Sequence, residues 1–210
     1  YIIGAAVPMD YKEGFPVHVN GTSTGWYIKG EYDHVCDIIT NKGNVTTSIA
    51  RMDQDLDFNG GVMSLVFKDA DSEVLFYTCP IDLSKATDAV EWQMFFYASK
   101  GYTITPVYAL GNSHEWVELK DAETYKTGTG GFKHIGFSLA ELKGKVVTLG
   151  LKLSAPYSST TIYVDNMEVI NAVETDARIN QLNTTDEITE GQNYDVNVLV
   201  QNIGKTIING

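Results

Sequence analysis

The chain has 210 residues, of which 43% are hydrophobic and 11% aromatic, and this composition excludes wholesale disorder. Fifteen Lys and Arg residues against 27 Asp and Glu residues give a net charge of −12, which argues against nucleic-acid binding and against docking on anionic membranes. No apolar run approaches the ~20 residues of a membrane helix. Two cysteines, Cys36 and Cys79, allow one disulfide bond.

The dominant hydrophobic period is two, which is typical of β strands. In Val90–Tyr97 the alternate residues from Val90 to Phe96 form one apolar face, and the intervening residues form a second, partly apolar face. Similar runs occur at Gly61–Phe67, Val74–Cys79, Thr103–Leu110, Trp116–Leu119, Lys133–Phe137, Val147–Leu153 and Thr161–Ile170. About ten short strands without a sustained helical period predict an all-β fold, a two-sheet β-sandwich of the jelly-roll kind.

One helical turn is expected between two of these strands. Ser138 and Glu141 have the spacing of a capping box, in which both side chains accept hydrogen bonds from free backbone N–H groups. Gly144 follows at a position where glycine commonly ends a helix.

The composition changes after Ile170, which predicts a domain boundary. Residues 172–178 lie in a polar, acidic stretch and are expected to form a linker. Apolar alternation then resumes, but a sandwich domain requires roughly 100 residues. The sequence therefore predicts a jelly-roll domain over residues 1–171 and the beginning of an incomplete Ig-like domain over residues 179–210.

An acidic run offers a candidate metal site. Asp53, Asp55 and Asp57 occupy alternate positions and precede Asn59 and two glycines. Hard cations such as Ca²⁺ take oxygen ligands from alternate positions of a loop, so these aspartates are candidate calcium ligands. The run lacks the distal bidentate glutamate of a calcium loop, and it also fits an acidic, solvated turn that needs no ion.

Catalytic side chains do not group in the sequence. A jelly-roll glycosidase would project a pair of carboxylates into a shared groove, whereas the strand Val90–Tyr97 carries only Glu91. Glu115 and Glu118 flank Trp116 but alternate to different faces of an extended segment. The sequence therefore predicts a module that is not an enzyme.

Exposed aromatic residues are candidates for stacking on a sugar. Trp92 shares its face with apolar residues and is expected in the core, and Trp26 and Trp116 are also expected to be packing residues. Tyr157 lies in the polar segment Ser154–Thr161 and is the better exposed candidate. We therefore expect a ligand contact at Tyr157.

Six segments, taken in chain order, resemble the motifs of one family. They are DYKEGFP at residues 10–16 followed by Gly25-Trp26, GGVMSL at 60–65, LFYTCPIDLS at 75–84, EWVEL at 115–119, FSLAELKGKV at 137–146 and TIYVDNMEV at 161–169. Together they resemble the cleaved-adhesin and MAM-like jelly-roll modules of secreted Bacteroidetes proteins, including gingipain adhesin-type and "choice-of-anchor" modules. Residues 177–210 resemble the start of an Ig-like module of the CARDB type.

This resemblance implies a jelly roll stabilised by calcium. In such modules an opening acidic residue and a closing pair of aspartates lie near a metal ion. Here Asp165 matches the first closing aspartate, and Asn166 stands at the second. Lys12 occupies the opening acidic position with Asp10 and Glu13 beside it, and the resemblance implies Glu13 and Asp165 as metal ligands.

The resemblance also implies a non-catalytic adhesion or interaction module of a secreted or cell-surface multidomain protein, which binds a host protein or a glycan. The negative net charge favours a neutral glycan or a basic protein surface. The alternative is a carbohydrate-binding accessory module of a polysaccharide-degrading enzyme, and a jelly-roll hydrolase comes third. We expect a monomeric module within a longer chain, with no nucleic-acid partner and no membrane insertion.

Overall fold

A computed structural model describes residues 6–9, 11–15, 17–19, 28–30, 35–50, 61–171, 177–183 and 197–202. In these ranges the chain is all-β apart from one short helical turn. In chain order, the strands are β1 (Val7–Pro8), β2 (Lys12–Glu13), β3 (Val17–Val19), β4 (Ile28–Gly30), β5 (Val35–Lys42), β6 (Val45–Ala50), β7 (Val62–Phe67), β8 (Ser72–Thr78), β9 (Ile81–Asp82), β10 (Val90–Ala98), β11 (Tyr102–Leu110), β12 (Val117–Glu118), β13 (Glu123–Tyr125), β14 (Lys133–Ser138), β15 (Val146–Ala155), β16 (Thr160–Asn171), β17 (Ala177–Asn183) and β18 (Asn197–Asn202).

Two antiparallel sheets form the sandwich. The first sheet has the order β5–β8–β15–β11, with β12 and β13 also pairing with β11, and β9 pairing with β15 beyond the end of β8. The short strand β1 joins β9 in parallel. The second sheet has the order β14–β10–β16–β7–β6, and β2 adds to β16 beyond the end of β7. The predicted two-sheet β-sandwich is therefore confirmed.

The hydrophobic core lies between the two sheets, and alternation along the strands builds it. Trp92, Met94 and Phe96 of β10 are buried and face Phe76 of β8 and Leu149 of β15 within one cluster. The intervening residues of β10 point to the outer side of the second sheet, where they are half-buried or buried. The prediction that both faces of Val90–Tyr97 are partly buried is confirmed, as is the core position of Trp92.

The single helical turn occurs, but its start differs from the predicted capping box. Ala140–Leu142 form a 3₁₀ turn whose N-cap is Leu139, without a side-chain cap. Ser138 instead ends β14, where it pairs with Glu91, and its hydroxyl accepts only a long 3.4 Å bond from the N–H of Ala140. Gly144 has a φ of +79°, the left-handed conformation that suits glycine after a turn.

Two further strand pairs stand outside the two large sheets. Strands β3 and β4 pair with each other, and so do β17 and β18. The domain boundaries at 171 and 179 stay predictions. Within the described residues, no helix is long and apolar enough to cross a membrane.

Candidate functional site

The outer face of the first sheet carries a patterned set of side chains on its three central strands. The hydrogen-bond register places them in three rows across β8, β15 and β11, namely Tyr77–Gly150–Val107, Leu75–Lys152–Thr105 and Glu73–Ser154–Thr103. Large apolar groups thus occupy one end of the face and polar groups the other. This arrangement follows from the alternation along β15, where small or polar residues occupy the outward positions between core leucines.

Gly150 leaves a gap in the middle of this face, and the ring of Trp116 fills it. A Cβ atom at Gly150 would lie 3.1 Å from each of three side-chain carbons, those of Leu75 Cδ1, Val107 Cγ2 and Trp116 Cζ3. Such contacts are tighter than ordinary van der Waals distances, so a side chain at residue 150 would force the indole or its two neighbours to shift by a few tenths of an ångström. Leu75, Tyr77 and Val107 form a small buried cluster under Trp116, separate from the main core.

Trp116 belongs to an aromatic platform, which we define as Tyr77, His114 and Trp116. The ring centroid of Tyr77 lies 5.2 Å from that of Trp116 and 5.3 Å from that of His114, the latter in a T-shaped contact. The centroids of His114 and Trp116 are 6.1 Å apart. Tyr77 is buried, Trp116 is half-buried and His114 is exposed, so the platform is anchored on the sheet and open to solvent on top.

The loop between β11 and β12 holds the platform on the sheet. Its first residue, Gly111, accepts a 2.7 Å hydrogen bond from the hydroxyl of Thr148, and beyond β12 the N–H of Leu119 bonds to the carbonyl of Pro106 at 2.9 Å. Between these anchors His114 has a φ of +56°, a left-handed conformation that non-glycine residues rarely adopt.

A polar strip continues from the platform across the same face. The hydroxyl groups of Thr103 and Thr124 are 2.9 Å apart, and the amide of Asn41 donates a 3.1 Å hydrogen bond to Glu73. The half-buried Lys152 lies between this strip and the platform. An aromatic ring beside hydroxyl, amide and charged groups can hold a ligand that has both an apolar face and many hydrogen-bonding groups.

Two carboxylates on this face, those of Glu73 and Glu118, are too far apart for glycoside hydrolysis. Glu73 of β8 and Glu118 of β12 are separated by three strand spacings and four residues along the strands, which is about 19 Å between their backbones. The carboxyl groups of glycosidases lie about 5–10 Å apart. These two glutamates therefore do not form a hydrolytic pair.

A second group of aromatic rings lies on the outer face of the second sheet. Tyr163 stacks on Tyr97 and on Phe132, with centroid distances of 5.4 and 6.3 Å. These three half-buried rings cover one another, and polar side chains on the same face, such as Gln93 and Asp165, are buried. The second face thus carries a stack of aromatic rings beside buried polar groups.

Tyr157 lies apart from the platform. It occupies the turn between β15 and β16, is 51% exposed, and its carbonyl accepts a 2.7 Å hydrogen bond from Thr160. Ala155, which ends β15 just before this turn, is five residues beyond Gly150, a strand length of about 17 Å. The ring of Tyr157 makes no aromatic contact with another described residue. A ligand contact at Tyr157 stays a prediction. Trp116, expected to be a packing residue, packs on the small cluster and is also half-exposed.

The predicted metal ligands fall into two groups. Asp53, Asp55 and Asp57 lie outside the described residues. Glu13 and Asp165 are both buried, and each accepts a hydrogen bond from a nearby backbone N–H group, that of Phe15 at 2.9 Å and that of Asn166 at 2.7 Å.

Both donors have left-handed backbones, with φ of +47° at Phe15 and at Asn166. The register sets Glu13 opposite Met167 on the core side and Asp165 opposite Phe95 on the outer side, with a bulge between them. Among the described residues, no three His, Cys, Asp or Glu side chains group to hold a metal ion. Calcium binding stays a prediction.

No protein-family model matches the chain, and no curated protein sequence matches it. In structure it is similar to the glycoside hydrolase domain of Endo-D from Streptococcus pneumoniae R6, with a TM-score of 0.57 and 10% sequence identity, over 95% of this chain and 33% of that chain. Further similar structures are TmCBM61 in complex with β-1,4-galactotriose (TM-score 0.44, 8% identity, 64% of this chain and 86% of that chain) and the CBM22-1 xylan-binding domain of Paenibacillus barcinonensis Xyn10C (TM-score 0.41, 13% identity, 79% and 96%).

The Endo-D likeness supports the sandwich fold, and at this identity it concerns the fold alone. The chain spans about a third of the length of that hydrolase chain.

Proposed function

We propose that this chain is a non-catalytic carbohydrate-binding module whose ligand lies on the outer face of the first sheet. The observation that carries the proposal is the half-exposed ring of Trp116, seated in the gap at Gly150 beside a polar strip. This is the alternative function expected from the sequence, an accessory module of a polysaccharide-degrading protein. A secreted or cell-surface location stays a prediction from the resemblance.

The chemistry of the face suits a sugar. One side of a pyranose ring is lined by C–H groups and packs flat on an aromatic ring, while its edge carries hydroxyl groups that donate and accept hydrogen bonds. Trp116 supplies such a ring, and its indole N–H forms no hydrogen bond with a described residue. Thr105, Ser154 and Lys152 supply polar groups in the adjoining rows.

The same face fits a protein partner less well. Stable protein interfaces bury about 800 Å² on each partner around an apolar centre. Here the exposed apolar groups are the platform and Ile39, which is 40% exposed, and the adjoining rows are polar. The separation of Glu73 and Glu118 further supports binding without catalysis.

The test is a screen of the purified chain on a glycan array, followed by calorimetry with the best polysaccharide. We expect Trp116→Ala to lower the affinity about tenfold or more, because buried tryptophans dominate binding surfaces. His114→Ala is a second variant that removes less packing. Tyr157→Ala is the control, since it removes an exposed aromatic ring at a position away from the platform.

Melting curves separate lost binding from lost folding. If Tyr157→Ala abolishes glycan binding while both platform variants keep it, the site is misplaced and the earlier expectation for Tyr157 holds. If the wild-type chain binds no glycan, or hydrolyses one, the proposal of a carbohydrate-binding module is wrong.

A further inference from the structure

Lys152 is an unpaired cation beside the aromatic platform. It is half-buried on β15, the strand that lies between β8 and β11, with Leu75 and Thr105 as its cross-strand neighbours. Among the described residues its ammonium group makes no ion pair and no hydrogen bond. Glu73, diagonal to it on β8, accepts a hydrogen bond from Asn41 instead.

Among the lysines whose burial the structure describes, Lys152 alone is half-buried, and the others are exposed. Acidic residues outnumber basic ones by 27 to 15, so carboxylate partners are abundant. Some exposed lysines, such as Lys120 and Lys143, form ion pairs with nearby carboxylates, and others, such as Lys133, form none among the described residues. Lys152 is half-buried as a residue and its ammonium group has no partner among the described residues, so this group is available to an anionic ligand.

The spacing links Lys152 to the platform. It is two residues beyond Gly150 on the same face of β15, which is about 7 Å along the strand. The ring of Trp116 rests directly on Gly150. The flexible four-carbon stem of lysine can therefore bring the ammonium group to the edge of a sugar ring stacked on Trp116.

We propose that the ligand is an acidic glycan, with a sugar ring stacked on Trp116 and its carboxylate or sulfate group bound by Lys152. This inference rests on the proposed carbohydrate-binding function and adds the ligand class. It differs from the neutral glycan expected from the net charge. Net charge acts over the whole surface and is screened beyond about 8 Å in physiological salt, whereas Lys152 acts in contact with the ligand.

The experiment compares three soluble polymers by calorimetry on the full chain, namely galacturonan, sulfated galactan and neutral galactan. Lys152→Gln removes the charge, Lys152→Arg keeps it, and Lys133→Gln makes the same change of charge on the exposed strand β14 of the second sheet. We expect Lys152→Gln to weaken binding of an acidic polymer about tenfold or more, and Lys152→Arg and Lys133→Gln to change it less than about twofold. Binding of galacturonan would identify a carboxylate as the anion, and binding of sulfated galactan would identify a sulfate.

Salt gives a second measurement. Binding of the acidic polymer to the wild type should weaken as ionic strength rises, and this dependence should shrink in Lys152→Gln. If Lys152→Gln melts well below the wild type, Lys152→Thr replaces it, because threonine suits a strand.

The outcomes separate this inference from the proposed function. If only neutral galactan binds and Trp116→Ala abolishes that binding, the module binds carbohydrate and the acidic ligand is wrong. If Lys152→Gln weakens all polymers equally, Lys152 recognises hydroxyl groups and the inference also falls. If no polymer binds to the wild type and the glycan array is also negative, the proposed function and the acidic ligand are both wrong.

Discussion

Substituting Gly150 with valine tests whether the missing side chain creates the seat for Trp116. A Cβ atom alone would meet Leu75, Val107 and Trp116 at 3.1 Å, and the two methyl groups of valine extend further into the same space. The three contacts are side-chain carbons rather than backbone, so the least constrained response is for the indole to move off the sheet. Gly150→Val should therefore expose Trp116.

Overpacking of a filled site costs about 1–3 kcal/mol. Valine also favours strands over glycine by up to about 1 kcal/mol, which offsets part of this cost. A control removes that ambiguity. Gly136 lies on the outer face of the second sheet, is exposed, and would place a Cβ 3.5 Å from its nearest neighbours, an ordinary contact. Gly136→Val thus makes the same substitution at an outward strand position without close contacts.

We expect Gly150→Val to unfold about 1–3 kcal/mol more readily than Gly136→Val, a difference of about 2–12 °C in melting temperature for a chain of this size. Tryptophan emission should shift to the red in Gly150→Val, while the fully buried Trp92 stays in the core. Glycan affinity should fall together with the emission shift.

Equal melting temperatures for the two valine variants, with unchanged tryptophan emission, would refute the reasoning. Trp116 would then not depend on the gap at Gly150. The proposed binding face would lose its defining contact.

Two further predictions concern pH and metal ions. The pKa of Tyr125 is raised to about 12, chiefly because its hydroxyl donates to Glu123; stability from this contact is complete below pH ~10 and is lost as the pH rises through about 12. The titration of Tyr125 can be isolated by subtracting the tyrosinate absorbance of Tyr125→Phe from that of the wild type. Glu123→Gln should lower the pKa of Tyr125 towards 10. Hydrogen bonds from Lys120 and Tyr125 lower the pKa of Glu123. The contribution of Glu123 to folding stability is therefore present above the usual carboxyl pKa and is lost as the pH falls through the lowered pKa. If Glu13 and Asp165 help to hold calcium, a hundredfold excess of free calcium over its Kd stabilises the fold by about 2.7 kcal/mol. Chelation removes this stabilisation and should lower the melting temperature by about 5–10 °C. An unchanged melting temperature would count against the site.

Alternation made the fold predictable from the sequence. The alternation in Val90–Tyr97 predicts a strand with two partly buried faces, and β10 extends over Val90–Ala98 with that pattern. Val147–Leu153 likewise became the core of β15. These segments are predictable because a period of two fixes which side chains meet in the core, whatever the strand order. The end of a strand is less predictable, and Ser138 paired in β14 where the sequence suggested a helix cap.

The aromatic platform was not predictable in the same way. Trp116 was expected to be a packing residue, and no local pattern connects it to Gly150, which is 34 residues away. Their contact depends on the pairing of β11 with β15 and on the course of the loop that carries His114. A glycine at an outward position of a strand, as at Gly150, was the one available signal, because it often marks a close approach by another group.

The site therefore combines two kinds of residue. Gly150 and Lys152 occupy alternate positions of a strand whose core residues fix the fold, whereas His114 and Trp116 belong to a loop whose sequence has no periodic constraint. Substitutions in that loop can change the ring presented to a ligand without disturbing the core between the sheets. Substitutions at Gly150 and Lys152 change instead the seat of the ring and the charge beside it. In the proposed site, ligand specificity would depend on this loop and on two outward positions of one strand, which is why the overall charge and the core pattern say little about the ligand.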